Sequence, residues 1–304
     1  MSVNEEISGV VVVDKHGGVT SHDIVFKMRK LFATKKVGHT GTLDPMATGV
    51  LPILIGRGAK ASEYLTAEDK GYTAEITLGI VTDTQDTSGK ILAKCDTLPT
   101  KEEFFKACEH FIGEIKQVPP MFSALKVDGQ KLVDLARRGI EVERQSRDIH
   151  ITSIVPSVID EAKGIYKIDV DCSKGTYIRT LCDDIGKYLG CGASMSALRR
   201  TKSGNFTLNG AHSIEDIEKM TLDERISLIM PVEELFCDLE CVTLNEFFTR
   251  LCRSGCEIYQ KKIGTSFDVG KRVRICDKDG FFALGEVREF DEGTAIKAIK
   301  LFVL

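Results

Sequence analysis

The apolar run GVVVVDK at 9–15 predicts a strand, and GGVTSHDIVFKMRKLF after it turns and opens a helix. Thr20 or Ser21 can cap that helix. Ile24, Met28, Leu31 and Phe32 recur at helical spacing and bury one face, leaving Lys27 and Lys30 outside. GYTAEITLGI (71–80) alternates instead. Tyr72, Ala74, Ile76, Leu78 and Ile80 share one side and Thr73, Glu75 and Thr77 the other, which predicts a strand with one buried face. Thr100 and Glu103 form a capping-box pattern at the head of a third apolar-periodic stretch, a helix. GIYKIDVDC (164–172) is a further strand. It leads straight into GTYIRTLCDDIGKYLG, where Leu181, Ile185 and Leu189 mark a helical core face.

Strands and helices alternate without the regular spacing of βαβ units, so a mixed or antiparallel sheet flanked by helices is expected. The character changes near residue 242. A helix-like segment is followed by short strands, and DKDG between apolar runs reads as a hairpin turn. This predicts a small β domain of about 65 residues.

With 304 residues, 42% of them hydrophobic and 28% charged, the chain is an ordinary globular one. No segment approaches the roughly 20 apolar residues of a membrane span. The start, MSVNEEISG, is acidic and lacks the apolar region of a signal peptide. A cytoplasmic location follows as an expectation, and with it free thiols for the ten cysteines. Cys237, Cys241, Cys252 and Cys256 fall in two pairs that could suggest zinc. The spacing in a partly helical stretch favours small buried residues instead, and no metal site is expected.

The net charge of −4 argues against a nucleic-acid partner until its distribution is considered. Residues 250–274 carry seven cations against Glu257 and Asp268. Residues 15–36 carry six against Asp23. Either run alone would be a solvated face; two of them keep RNA in view.

One stretch concentrates the candidate chemistry: GHTGTLDPMATGVLPILIG, residues 38–56. Its glycines fit neither the P-loop nor the Rossmann spacing. His39 and Asp44 are too few for a metal site, and no paired carboxylate is apparent nearby. Pro45 pushes Asp44 toward extended geometry. Two readings stay open, a turn aspartate bonded to its own backbone and a carboxylate nucleophile.

Taken with other segments, the stretch resembles the signature of the TruB family of tRNA pseudouridine synthases. VVDKHGGVTSHDIV, DKGYTAEITLGIVTDTQDTSG, QVPPMFSALKVDGQKLVDLARRGIEVE, CSKGTYIRTLCDDIGKYLGCGA and LRRTKSGNF match further family segments in order, over roughly residues 9–215. His16 and Phe122 depart from the family's usual Pro and Tyr. The C-terminal part is similar, more weakly, to a PUA-type RNA-binding module.

The resemblance implies an α+β pseudouridine-synthase fold, with a mixed, mainly antiparallel sheet flanked by helices and a small PUA-like β domain. It implies a catalytic domain over 1–236, an RNA-binding arm at 121–147 and the PUA-like domain at 237–304. Asp44 would be the nucleophile on a flipped-out uridine of the tRNA T loop, position 55. Whether it attacks C1′ or C6 stays open. Arg179 would hold the Asp44 carboxylate, with Asp86 as a second partner of that arginine. Tyr72 would stack on the uracil and take the C5 proton. Tyr177 and Leu198 would line the base pocket, and His39 would contact the flipped nucleotide. Lys15, Lys126, Arg199 and Arg200 would grip RNA. No cofactor, no membrane and no obligatory protein partner are implied, and a monomer is expected. Two other readings are weighed: an RNA-binding or tRNA-folding module with incidental catalysis, and a guide-RNA-dependent relative, from which the 121–147 arm points away.

Overall fold

The computed structural model describes residues 7–65 and 69–303. Most of the acidic start read above, residues 1–6, lies outside the described residues. Among these, the main sheet has ten strands. Its spine runs His212–Ser213, Gly9–Lys15, Thr48–Ile55, Ala193–Ser203, Lys70–Leu78, Ile165–Cys172, Arg147–Asp160, Gly113–Gln117. Val37–His39 pairs onto Thr48–Ile55, and Phe206–Thr207 onto Ala193–Ser203. Two junctions are parallel, Gly9–Lys15 with His212–Ser213 and Thr48–Ile55 with Ala193–Ser203; the rest are antiparallel.

The helical face of the sheet carries the large core. Ile24 and Met28 enter it from the helix Ser21–Leu31 and Phe32 from that helix's C-terminal cap, and Leu181 and Ile185 from Ile178–Tyr188. Phe104 enters from Lys101–His110 and stacks on Tyr166 at 4.2 Å between ring centroids. Thr20, not Ser21, caps the first helix, with Asp23 completing a capping box. Thr100 and Glu103 complete theirs as expected.

One element ends sooner than its alternation predicts. The strand stops at Leu78, because Gly79 takes φ +79° and turns the chain out of the sheet. Ile80 therefore leaves the buried face and starts a small hairpin, Ile80–Thr82 with Ile91–Lys94.

The second sheet has five strands, in the order Cys241–Thr243, Arg272–Asp277, Gly280–Phe290, Gly293–Leu301, Ile258–Tyr259. The hairpin read at DKDG joins its second and third strands, with Asp277 opposite Gly280. Leu284, Phe281 and Phe302 pack with Phe236, Val10, Val12, Val50 and Leu54. The small domain thus packs on the other face of the main sheet at the strands Gly9–Lys15 and Thr48–Ile55. No helix among the described residues is long and apolar enough to cross a membrane. Of the four cysteines weighed for zinc, Cys252 is buried and Cys237, Cys241 and Cys256 are exposed. The Cys241 sulfur lies instead 2.6 Å from that of Cys276.

Candidate active site

The loop bearing Asp44 links Val37–His39 to Thr48–Ile55 and is tied down along its length. Arg200 Nη2 donates to the Gly41 carbonyl at 3.2 Å. The Ser21 hydroxyl, free because Thr20 caps the helix, accepts from Leu43 N at 2.8 Å and donates to Leu43 O at 3.1 Å. Lys15 Nζ and the Gly18 amide both donate to Pro45 O, at 3.2 and 2.9 Å. Just beyond the loop, Gly49 takes φ +103°. A Cβ there would sit 2.2 Å from the Arg200 carbonyl oxygen, so only glycine lets the two parallel strands meet. A catalytic group needs this kind of support, since its reach is set by the backbone beneath it.

Asp44 opens onto a cavity of about 350 Å³, lined among others by Tyr72, Tyr177, Arg179, Leu198 and Arg200. Its carboxylate is 32% exposed and forms a bidentate pair with Arg179: Nε to Oδ2 at 2.9 Å and Nη2 to Oδ1 at 3.2 Å. Burial raises the Asp44 pKa above the ordinary carboxylate value, and Arg179 works against that rise. The guanidinium is itself fixed by the Thr84 carbonyl at 3.0 Å and the Phe122 carbonyl at 2.7 Å. Asp86 stands on its other side, 3.6 Å from Nη1. A second acid is therefore present, but behind the arginine. Thr84 and Ser88 bond one Asp86 oxygen.

Tyr177 caps the Arg179 helix, and the buried amide of Gln117 clamps its backbone. Gln117 Oε1 accepts from Tyr177 N at 2.7 Å and Nε2 donates to Tyr177 O at 3.1 Å. Ser123, Ala124 and Leu125 form one wall of the cavity, so the root of the 121–147 arm belongs to the site. Tyr72 and Leu198 come from adjacent antiparallel strands, in which Tyr72 faces Arg200 and Ala74 faces Leu198.

Six of the expected residues thus meet around one cavity: Asp44, Tyr72, Tyr177, Arg179, Leu198 and Arg200. Others stand elsewhere. Lys15 is fully buried and gives its ammonium to the carbonyls of His16, Val19 and Pro45. Burial pushes its pKa down to about 8. Arg200, though part of the cavity lining, is 1% exposed and bonds Val50 O at 2.7 Å as well as Gly41 O. Both were expected to grip RNA; both instead spend their donors on backbone, because an interior cation needs its hydrogen bonds met locally. Arg199 pairs with Asp14 at 2.7 Å and Lys126 is exposed on the arm. His39 is absent from the cavity lining. Its Nδ1 accepts from Gly41 N at 3.2 Å, and burial lowers its pKa, which keeps the ring neutral.

Sequence reasoning missed the carbonyls of Thr84 and Phe122, which carry no side-chain signal. Phe122, where the family usually has Tyr, holds Arg179 through its backbone whatever its side chain. Gln117 was missed too, although it opens the matched QVPP segment. The basic run at 250–274 is largely neutralised in place. Arg253 pairs with Asp277, Lys271 with Glu240, Arg272 with Glu286 and Arg274 with Glu233. Arg250, Lys261 and Lys262 remain exposed outside those pairs. Among the described residues, no group of three or more His, Cys, Asp or Glu could hold a metal.

Residues 29–178 match the family model described as TruB family pseudouridylate synthase (N terminal domain). Residues 179–237 match the tRNA pseudouridylate synthase B C-terminal domain. A tRNA pseudouridine synthase B of Clostridium tetani (strain Massachusetts / E88) is 42% identical over 298 residues, covering 98% of this chain and all of that one. One of Bacillus pumilus (strain SAFR-032) is 46% identical over 258 residues, 82% of each chain. Among solved structures, a chain in a crystal structure of a Cbf5-Nop10-Gar1 complex superposes with a TM-score of 0.74 at 26% identity. That match covers 100% of this chain and 88% of the other.

Proposed function

Because the chain belongs to the TruB family of pseudouridylate synthases, with their α+β fold and a PUA-like β domain, we propose that it converts a tRNA uridine to pseudouridine. The site is T-loop position 55, and Asp44 is the nucleophile. The observation that carries this reading is the Asp44 carboxylate, bidentate on a buried guanidinium, in the wall of a cavity that Tyr72, Tyr177 and Leu198 also line.

The chemistry asks for what these residues offer. The N1–C1′ bond breaks, the base turns, C5 joins C1′, and the C5 proton leaves while N1 gains one. Nothing is oxidised and no phosphate moves, so no cofactor enters. Arg179 keeps Asp44 ionised and aims it; attack at C1′ and attack at C6 both suit a fixed carboxylate. A base stacked on Tyr72 between Tyr177 and Leu198 has left its own stack, and the walls recover part of the unstacking energy. Tyr72 then receives the C5 proton.

The name of the Clostridium tetani relative supports tRNA as substrate. Lys126 and the other cations of the 121–147 arm, together with Arg250, Lys261 and Lys262, supply phosphate contacts whose strength falls with salt. We assign catalysis to 1–236 and RNA binding to 121–147 and 237–304, in a cytoplasmic monomer.

The test is tritium release from an unmodified tRNA transcript labelled at uridine C5. Wild type releases tritium from the T-loop uridine, and Asp44→Asn binds the transcript but releases none. Release that persists in Asp44→Asn removes Asp44 as nucleophile. No release by wild type leaves an RNA-binding or tRNA-folding module as the better account.

A further inference from the structure

Tyr177 is placed by a loop that does not hold it alone. Residues 173–176 before it are exposed or half-buried, and Gly175 among them takes φ +81°. Tyr177 then stands at the cap position of the helix Ile178–Tyr188 but makes no side-chain capping bond. Its phenol oxygen lies too far from its own backbone to satisfy the first-turn amides, as Ser, Thr, Asp or Asn would. The fastening comes from outside the helix. Gln117 is 2% exposed, and both polar atoms of its amide go to the Tyr177 backbone, at 2.7 Å to N and 3.1 Å to O. The same carbonyl accepts from Leu181 N at 3.0 Å, a bond of the first turn. We propose that Gln117 is a positioning residue for the isomerisation, setting both the Tyr177 wall of the base pocket and the first turn that carries Arg179. The inference rests on the cavity being the uridine site.

Gln117 suits this task by where it stands. It ends the strand Gly113–Gln117, opposite Arg147 of Arg147–Asp160. Pro119 and Pro120 follow, and their rings fix φ, so the chain on to Phe122 is stiff. Pro119 O accepts from Arg144 Nη1 at 3.2 Å, which ties this stretch to the returning end of the arm. The Phe122 carbonyl then accepts from Arg179 Nη2 at 2.7 Å. One short segment therefore holds Tyr177 by a side chain and Arg179 by a carbonyl.

The two held residues do different work in the pocket. Tyr177 forms a wall, and Arg179 carries Asp44. Loss of the Gln117 amide frees the loop to shift the ring and the first turn together. A displacement of about 1 Å at a reacting group costs up to about 10²-fold in rate. Phosphate contacts made elsewhere on the protein set the tRNA's register and are left as they were.

Gln117→Met keeps the side chain's length and removes both hydrogen bonds. Two measurements on it, made well below its unfolding midpoint, test the proposal. The first needs no substrate: backbone hydrogen exchange over residues 177–181 is expected to run faster than in wild type. The second is tritium release in a single turnover at saturating enzyme, beside the Kd for the same transcript. Release is expected to slow about tenfold to a hundredfold while Kd stays within about twofold. Gln117→Asn keeps the amide but falls one methylene short, and should lose less; it carries the test if Gln117→Met does not fold. A folded variant with wild-type exchange over 177–181, or with wild-type release, overturns the proposal. So does a loss seen only in Kd, which would make Gln117 part of the RNA grip. No release by wild type overturns the synthase reading and with it any role in isomerisation, while the exchange result still reports whether Gln117 holds Tyr177.

Discussion

Replacing Arg179 with methionine tests the centre of the site. The change removes two charge-assisted bonds to Asp44, at 2.9 and 3.2 Å. Such bonds are worth about 1.5–3 kcal/mol each. Asp44 is 32% exposed to the cavity, so solvent screens part of this and about 3 kcal/mol is the better figure. Spent on the barrier, that is a loss of about 10²-fold in kcat/KM. A second signature accompanies it. Arg179 is the largest influence holding the Asp44 pKa down against burial. Without it the carboxylate protonates at higher pH, and the acid limb of the rate profile moves upward. The fold should survive, since Asp86 keeps its bonds from Thr84 and Ser88. The assay is C5-tritium release from a tRNA transcript at saturating enzyme, repeated from pH 5 to 8. A folded Arg179→Met within tenfold of wild type, with its acid limb unmoved, would refute the idea that this pair organises the nucleophile.

Three further outcomes follow from the same geometry. Burial raises the Asp44 pKa, so its contribution to stability is present below the unfolded value near 4 and is lost as pH rises through the folded value; the denaturant midpoint of Asp44→Asn should gain on wild type as pH rises, and a pH-independent difference would contradict this. Gly49→Ala puts a Cβ 2.2 Å from the Arg200 carbonyl at φ +103°, which should cost about 3 kcal/mol or more in strain and overpacking, read by urea unfolding; a loss below about 1 kcal/mol would show that the strand junction yields. Thr100→Ala removes the capping box of a helix remote from the cavity and should cost about 1 kcal/mol with tritium release unchanged, so a matching loss of activity would tie that helix to the site.

Much of this protein is local, and the sequence alone determined that much. Capping boxes, apolar periodicity and the Lys278-Asp279 hairpin are settled within a few residues of chain, and apart from Ile80 they stand where the pattern puts them. The motifs also carried Asp44, Tyr72, Tyr177, Arg179 and Leu198 by resemblance. Only the tertiary structure decided what they touch. Arg179 reaches Asp44 across 135 positions of sequence, and two of its anchors are carbonyls, which every residue has and no motif marks. The destinations of the cations were equally hidden. Lys15 and Arg200 look like RNA-binding charges on paper, as do Arg253, Lys271, Arg272 and Arg274. A charge run records only its own stretch of chain. Whether a cation meets solvent, a carbonyl or an acid depends on what the fold brings from elsewhere, and here it brought Pro45, Gly41 and Val50 to the first two and acidic partners to the rest.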